Sequence, residues 1–145
     1  MPPTRKQVMD VLGFELRNCQ WSWSAVNHVK KQVMFFPWDC YLDRDHFDKT
    51  KEKRYLILHD SWATKPGDEN TLQRGYTDAI NNLNLTINEG FELTVMFQTP
   101  TNKLDYPKSS EIAEIRSLHS RSYFNAKLSR AGEGYFATLI TRYEN

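Results

Sequence analysis

Hydrophobic and polar positions in the first third of the chain predict a short helix and then a β-hairpin. A capping box over 4–7 precedes apolar residues at helical spacing, and Gly13 follows as a residue type that commonly ends a helix. Alternating residues over 21–26 and a β-rich run over 32–36 flank a polar link at 27–31. Two such runs around a short link are typical of paired strands, so we expect a hairpin.

The middle of the chain changes from charged to apolar and then to helical patterning. The mixed-charge run 43–53 predicts a solvated loop, and the nearly all-apolar run 54–59 predicts a central strand. Turn-forming residues over 62–68 predict a loop. From Asn70 to Leu83 apolar residues recur on one face, which predicts the main helix.

The last third contains a strand, a short helix and a second hairpin. The strand is expected over 91–98, where the turn-forming run 99–102 breaks it. A brief helix is expected over 112–115. Two further β-rich runs, 123–128 and 135–141, are joined by a glycine-containing turn and predict the hairpin.

The order of these elements predicts an α+β fold. A length of 145 residues suggests a single domain, which we expect to span 1–145. Its sheet is expected to be mostly antiparallel or mixed, with about six strands and two main helices. The hydrophobic fraction of 39 % and the mean hydropathy of −0.68 indicate a soluble protein, and the first residues lack a signal peptide, so we expect a cytoplasmic location.

Charge and cysteine usage narrow the classes of function. A net charge of +1 argues against nucleic-acid binding by bulk electrostatics, although a local basic face is compatible with it. From Arg116 onward the chain has five basic residues against two acidic ones. Cys19 and Cys40 match no metal-binding or redox spacing, so we expect two buried thiols.

Enzyme motifs are absent from the sequence. It contains no phosphate-binding glycine loop, no nucleophile elbow and no zinc-protease motif. The pair His59-Asp60 could orient an imidazole, and the run 43–46 could bind a divalent metal, but a strand end and a solvated loop are the more common interpretations. We therefore predict no catalytic residue, no metal and no cofactor.

Aromatic and basic residues interleave in a way that favours binding. Trp21, Trp23, Trp38 and Trp62 lie at predicted strand ends or in loops. Basic and amide side chains lie near them in sequence: Arg17, Asn18, Lys65 and Arg74. Aromatic rings stack on nucleobases while arginine and amide groups contact base edges, which suits a base-binding surface. The same residue types are enriched at protein interfaces, and tryptophan is also a common core residue.

The two tryptophans in Trp-Ser-Trp raise a more specific expectation. If the strand is regular from Trp21, then Trp21, Trp23 and Ala25 share one face and the serines Ser22 and Ser24 share the other. The indoles would then form one surface, either in the core or in a binding site. The small serine face would allow another element, or a DNA backbone, to approach closely.

The stretch GFELRNCQWSWSAV over 13–26 resembles the opening of a domain at the N-terminus of bacterial HNH-endonuclease-type proteins. The run VMFFPWD over 33–39 looks like the next strand of that domain. The run LILHDSW over 56–62 is similar to a segment of McrA-like modified-DNA reader domains. The resemblance touches most of the chain at low identity, and only the Trp-Ser-Trp segment is specific.

The resemblance implies a DNA-binding module of the restriction or defence type that reads modified double-stranded DNA, for example 5-methylcytosine. The sequence lacks the HNH segment, so the module is expected to be non-catalytic by itself, with an HNH nuclease or a second copy of the chain as further partners. The alternative is a protein-binding accessory or immunity-type module. The predicted DNA-binding residues are Arg17, Asn18, Trp21, Trp23, Trp38, Trp62, Lys65, Arg74, Arg116 and Arg121. If Arg17, Lys65, Arg74 and Arg116 lie on one face, DNA binding is favoured, and if they are scattered, a protein partner is favoured.

Overall fold

The computed structural model describes residues 3–18, 22–65, 68–104, 106 and 115–144, without the side chains of 65–71. The three α-helices are α1 (Arg5–Leu12), α2 (Arg44–Thr50) and α3 (Arg74–Glu89), with a 3₁₀ turn at Asp60–Ala63. The strands are β1 (Ser24–Asn27), β2 (Gln32–Phe35), β3 (Arg54–His59), β4 (Thr64–Lys65), β5 (Asp68–Leu72), β6 (Glu92–Val95), β7 (Gln98–Pro100), β8 (Ile115–Leu118), β9 (Ser122–Ala131) and β10 (Gly134–Glu144).

A mixed six-stranded sheet forms the centre of the fold, in the order β1-β2-β6-β9-β10-β3. Strands β2 and β6 are parallel, and the other neighbouring pairs are antiparallel. Two separate pairs, β4-β5 and β7-β8, complete the strands. The predicted α+β class with a mixed sheet is therefore confirmed, as are both predicted hairpins, β1-β2 and β9-β10.

Each face of the sheet packs against a helix because its strands are apolar on both sides. Val33 and Phe35 of β2 face the cluster that contains Ala79 and Leu83 of α3. Met34, between them, belongs to the opposite cluster, which contains residues of α1. Helix α3 therefore covers the β1-β2 side of the sheet on one face, and α1 lies on the other face.

The first helix follows its predicted capping pattern. The Thr4 hydroxyl accepts the Gln7 N–H at 3.2 Å, and the Gln7 side chain accepts the Thr4 N–H at 2.9 Å. Gly13 ends the helix with φ +86°, where a Cβ would lie 3.1 Å from the side-chain nitrogen of Asn27. Glycine is therefore favoured there both by conformation and by space.

The segment 43–53 is not a solvated loop, as the charge pattern predicted, but contains helix α2. The Asp43 side chain accepts the His46 N–H at 3.2 Å, which caps the first turn, and Lys51 ends the helix in the left-handed region at φ +63°. No residue of α2 is buried, so the helix has no apolar face for a periodicity argument to detect.

Strand β3 lies at the edge of the sheet and not in its centre, so that prediction is wrong. Leu56 and Leu58 are buried at 1 % and 0 % exposure, which explains the apolar pattern. The other side of the strand is covered by the segment before α2, where Tyr41 accepts the Leu56 N–H at 3.1 Å and Leu42 forms a bridge to Tyr55. Burial therefore comes from a covering segment and not from a second strand.

Other boundaries also shift. The main helix begins at Arg74 and not at Asn70, because 68–72 pairs with β4 as strand β5. The predicted strand 91–98 is divided into β6 and the start of β7. The predicted brief helix over 112–115 falls outside the described residues, apart from Ile115, which begins β8.

Cys40 is exposed, so the prediction of two buried thiols is wrong at that position; Cys19 lies outside the described residues. Cys40 directly follows a half-buried aspartate in a turn, which leaves its side chain at the surface.

No helix in the described part of the chain combines the length and apolar character that crossing a bilayer requires.

Candidate functional site

The start of helix α3 is fixed by Gln73, a buried amide that the sequence places just before the helix. Its Nε2 donates to the carbonyl oxygens of Trp62 at 3.0 Å and Thr64 at 3.2 Å. Its backbone N–H donates to Ala63 at 2.9 Å. These bonds hold the start of α3 against the 3₁₀ turn. They therefore determine the positions of Arg74 and of Asp78, which lies one turn further along the helix.

Two serines allow α3 to approach the sheet closely. Ser22 and Ser24 are both at 0 % exposure, and Asn82 of α3 donates to the Ser24 hydroxyl at 2.8 Å. The Ser22 hydroxyl accepts the Asn18 N–H at 2.9 Å and is also hydrogen-bonded to Asp78. The expectation that a small serine face admits another element is confirmed, and that element is α3.

Two adjoining grooves open beside this contact. The first has a volume of about 440 Å³ and is lined by Lys6, Asp10, Glu15, Leu16, Arg17, Val26, His28, Asp78 and Asn82. The second has a volume of about 370 Å³ and is lined by Arg17, Leu72, Arg74, Thr77 and Asp78. Arg17 and Asp78 line both grooves, so the grooves meet at this pair. We call the combined feature the Arg17–Asp78 groove.

Asp78 is the most unusual group in this groove. It is only 6 % exposed, and its Oδ2 has no hydrogen-bond partner among the residues that the structure describes. Burial raises its pKa above the ordinary value, and the hydrogen bond with Ser22 and the charge of Arg17 offset only part of that shift. A carboxylate in this state has the capacity to accept a donor from a ligand.

The charge around the groove is mixed. Arg17 and Arg74 are exposed and provide positive charge in the part of the groove that Asp78 also lines. Lys6 forms an ion pair with Asp10 at 3.0 Å, and this pairing offsets most of the positive charge that Lys6 would bring to the groove. The groove therefore combines two arginines with acceptor groups, and does not resemble a broad basic surface.

The structure places the predicted tryptophans differently from the expectation. Trp38 and Trp62 are core residues at 4 % and 3 % exposure, so the prediction that they form an accessible apolar surface is wrong. Trp23 is partly buried and its ring packs edge-on against Trp62, with the centroids 6.1 Å apart. Trp21 lies outside the described residues.

Trp23 does not share a face with Ala25, as the alternating pattern predicted. Strand β1 begins only at Ser24, and Trp23 belongs to a bend before it. Trp23 consequently packs with the α3-side cluster, while Ala25 belongs to the α1-side cluster. The period of two applies only within the regular strand.

The structure brings Arg17 and Arg74 together but not Arg116, so the gathering of basic residues that would favour DNA is found only in part. Arg17 and Arg74 line one groove, and Asn18, which lines neither groove, is hydrogen-bonded to Ser22. Arg116 is exposed on β8, and Arg121 is exposed just before β9; neither lines the Arg17–Asp78 groove. The side chain of Lys65 is among those that the structure does not describe.

The weaker catalytic and metal candidates have structural roles. The His59 Nδ1 accepts the Ser61 N–H at 3.1 Å, and Asp60 pairs with both terminal nitrogens of Arg130, at 3.1 and 2.6 Å. Asp43 caps α2 and pairs with Arg54 at 2.8 Å. In the described ranges, no three histidine, cysteine or acidic side chains are grouped as a metal would require.

Sequence reasoning missed two polar clusters. Asp78 and Asn82 are one helical turn apart and border the apolar face of α3, a pattern that could have indicated a buried polar contact. The second cluster joins Thr99 to Asp39 and to His119, whose Nε2 lies 2.8 Å from the Thr99 hydroxyl. Its members are far apart in sequence, so no local pattern reveals it.

Comparisons with protein-family models, with curated protein sequences and with solved structures found no match to this chain.

Proposed function

We propose that this protein is a non-catalytic DNA-binding module that contacts duplex DNA through the Arg17–Asp78 groove. The observation that carries the proposal is the convergence of two exposed arginines, Arg17 and Arg74, on a groove that contains a buried, incompletely paired carboxylate. Arginine is the side chain best suited to phosphate, and phosphate contacts position a protein on the duplex. Acceptor groups between them suit the edge of a base.

A near-neutral net charge is compatible with such local binding. If Arg17 and Arg74 each neutralise one phosphate, log K should fall with log salt with a slope of about −1.8. That is a weak dependence compared with strongly basic DNA-binding domains. The proposal therefore predicts modest affinity that depends little on salt, in agreement with the net charge of +1.

The test is the affinity for duplex DNA at two salt concentrations. Arg17→Ala and Arg74→Ala should each weaken binding and each reduce the magnitude of the salt slope by about 0.9. Lys127→Ala removes an exposed positive charge from β9, outside the groove, and is the matched control. Absence of duplex binding at low salt, or equal effects of all three variants, would contradict the proposal.

The finer part of the proposal is that the module belongs to restriction or defence and senses a modified base such as 5-methylcytosine. It is supported by the resemblance of 13–26 to the N-terminal domain of HNH-endonuclease-type proteins and of 56–62 to McrA-like modified-DNA reader domains. The panel should therefore compare plain, methylated, hydroxymethylated and phosphorothioated duplexes of one sequence. A preference of roughly 1–3 kcal/mol for one modification is expected, and equal affinities would limit the proposal to general DNA binding.

The resemblance also motivates a cytoplasmic location and two partners, an HNH nuclease supplied by another chain or a second copy of this chain. Sedimentation of the protein alone, with DNA and with a candidate nuclease distinguishes these partners. A complex that forms only on DNA is expected for a nuclease recruited by the reader.

A protein-binding accessory module is the second candidate, favoured by a different surface. A groove of about 550 Å³ runs beside α1 and is lined mainly by Pro3, Val8, Val11 and Leu12. Val11 is 87 % exposed, although large apolar side chains are more often covered. If this surface is the functional one, Val11→Asp abolishes recovery of a stoichiometric partner and Arg17→Ala does not.

A further inference from the structure

The unpaired oxygen of Asp78 indicates the chemistry of the group that the groove accepts. Among the described side-chain atoms that are buried without a partner, the Asp78 Oδ2 is the only one that belongs to a charged residue type. A buried carboxylate oxygen without a donor destabilises the fold, because it has lost hydration without replacement. The residue Asp78 lines both parts of the groove, so a ligand bound there lies beside this carboxyl group.

The surroundings of Asp78 limit which donors fit. Arg17 and Arg74 line the second part of the groove together with Asp78, so a simple cation would be repelled by two arginines there. A ligand that carries both an N–H donor and an anionic group would satisfy Asp78 and the arginines together. Leu16 and Val26 add apolar walls to the first part of the groove, and these suit the face of a planar ring.

We propose that the Asp78 carboxylate accepts a hydrogen bond from the exocyclic amino group of a nucleobase whose phosphate is bound by Arg17 and Arg74. The inference rests on the proposed function, because both assign the groove to nucleic acid, but it names the ligand class as amino-bearing nucleotides. Bases with a carbonyl group at the same position would direct an acceptor toward an acceptor.

Asn82 lies one turn along α3 from Asp78 and lines the first part of the groove. One N–H of its amide donates to the Ser24 hydroxyl at 2.8 Å, which fixes the side chain. The amide has a second N–H and an oxygen besides this bond, so Asn82 offers both a donor and an acceptor. The selection for an amino group therefore depends on Asp78.

The experiment compares two pairs of mononucleotides that differ by one amino group. Deoxycytidine monophosphate is paired with deoxyuridine monophosphate, and deoxyadenosine monophosphate with deoxyinosine monophosphate. Binding is followed by ¹H–¹⁵N NMR titration up to millimolar concentrations, which detects weak affinities. We expect the amino-bearing member of each pair to bind about tenfold more tightly, as a single well-placed hydrogen bond to a base implies.

The variants assign the preference to Asp78. Asp78→Asn retains the size of the side chain but replaces an acceptor with a donor, so the tenfold preference should disappear or reverse. Arg17→Ala should weaken all four nucleotides equally, since each carries the phosphate. Glu89→Gln neutralises an exposed carboxylate at the end of the same helix and is the matched control, with no change expected.

Several outcomes would overturn the inference: equal binding within each pair by the unmodified protein, a preference that survives in Asp78→Asn, or no nucleotide binding at millimolar concentration. The comparison of the two nucleotide pairs uses the unmodified protein, so it tests the inference even if Asp78→Asn does not fold. Duplex binding through Arg17 and Arg74 without any amino preference contradicts this inference alone. Nucleotide binding without duplex binding contradicts only the proposed function.

Discussion

Asp78 illustrates a conflict between stability and binding at a single residue. Its pKa is raised in the folded protein, because burial disfavours the charged form more than Ser22 and Arg17 favour it. A group whose folded pKa exceeds its unfolded pKa stabilises the fold at low pH, and that contribution is lost as pH rises through the folded pKa. The raised pKa therefore makes Asp78 less favourable to the fold at neutral pH than at low pH, and a ligand that supplies the missing donor would offset this cost.

This sign leads to a stability prediction for Asp78→Asn. At pH 7 the variant should be more stable than the parent by about 1 kcal/mol, because a buried and incompletely paired charge is removed. The difference should shrink as the pH falls toward the ordinary aspartate value of 3.8. Urea unfolding at several pH values measures it. A variant less stable at neutral pH would show that the Asp78 charge is adequately paired.

Trp62 provides the clearest correction at residue scale. Its neighbours in sequence suggested an exposed aromatic, but the indole packs against Trp23 and Tyr41, with ring centroids 6.1 and 6.3 Å apart. Pattern reasoning identifies an aromatic at a strand end, but it cannot tell whether the chain beyond that residue folds back over it. In this chain, the residues that come directly after Trp62 form β4, β5 and the start of α3, and no pattern around Trp62 indicates where they pack.

Truncation of Trp62 should therefore affect stability and not recognition. Trp62→Ala is expected to destabilise the protein by about 3–5 kcal/mol, the usual effect of removing a buried tryptophan. Val11→Ala, at a side chain 87 % exposed, should change stability by less than about 0.5 kcal/mol. The milder Trp62→Phe should leave DNA affinity within about twofold, and a selective loss of binding in that variant would contradict the core assignment.

At the scale of elements, the sequence predicts those that have a strong local pattern. Helix α1 has a capping box and a terminal glycine, and the two hairpins have alternating strands around polar turns, so their existence could be derived. Helix α2 was missed because its stability depends on its caps and not on an apolar face. The edge position of β3 depends on a segment from elsewhere covering it, which no local pattern contains.

Helix α2 should consequently depend on its capping residue. Asp43→Ala removes the N-cap and the ion pair with Arg54, and is expected to reduce stability by about 1 kcal/mol at pH 7. Asp48→Ala removes one exposed carboxylate from the same helix without these contacts and should have little effect. Equal effects of the two substitutions in thermal or urea unfolding would contradict the capping role.

The effect of Asp43→Ala should also depend on pH. Although burial alone would raise the pKa of Asp43, the hydrogen bonds from Arg54 and the His46 N–H, with the nearby positive charges, lower it overall. A lowered folded pKa contributes stability above the ordinary value of 3.8, and the contribution is lost as the pH falls through the folded pKa. The stability difference between parent and variant should therefore shrink under acidic conditions.

At the scale of the whole molecule, the candidate site arises from pieces that are distant in sequence. Arg17 precedes β1, while Arg74 and Asp78 belong to α3, and the two regions meet only because Ser22 and Ser24 let the helix approach the sheet. The sequence identified Arg17 and Arg74 as candidates from residue type. It could not identify Asp78, because the state of that carboxylate depends on burial and on partners that only the folded chain brings together.

The most direct measurement of the central claim is an NMR titration of ¹⁵N-labelled protein with a short DNA duplex. If the Arg17–Asp78 groove binds DNA, the largest amide shift changes should fall on Arg17, Asn18 and the first half of α3, from Arg74 to Asn82. The claim would be contradicted if the largest changes fell on Arg116 and Arg121, or on the residues that line the groove beside α1, such as Val8 and Val11. A spectrum that does not change would also contradict it.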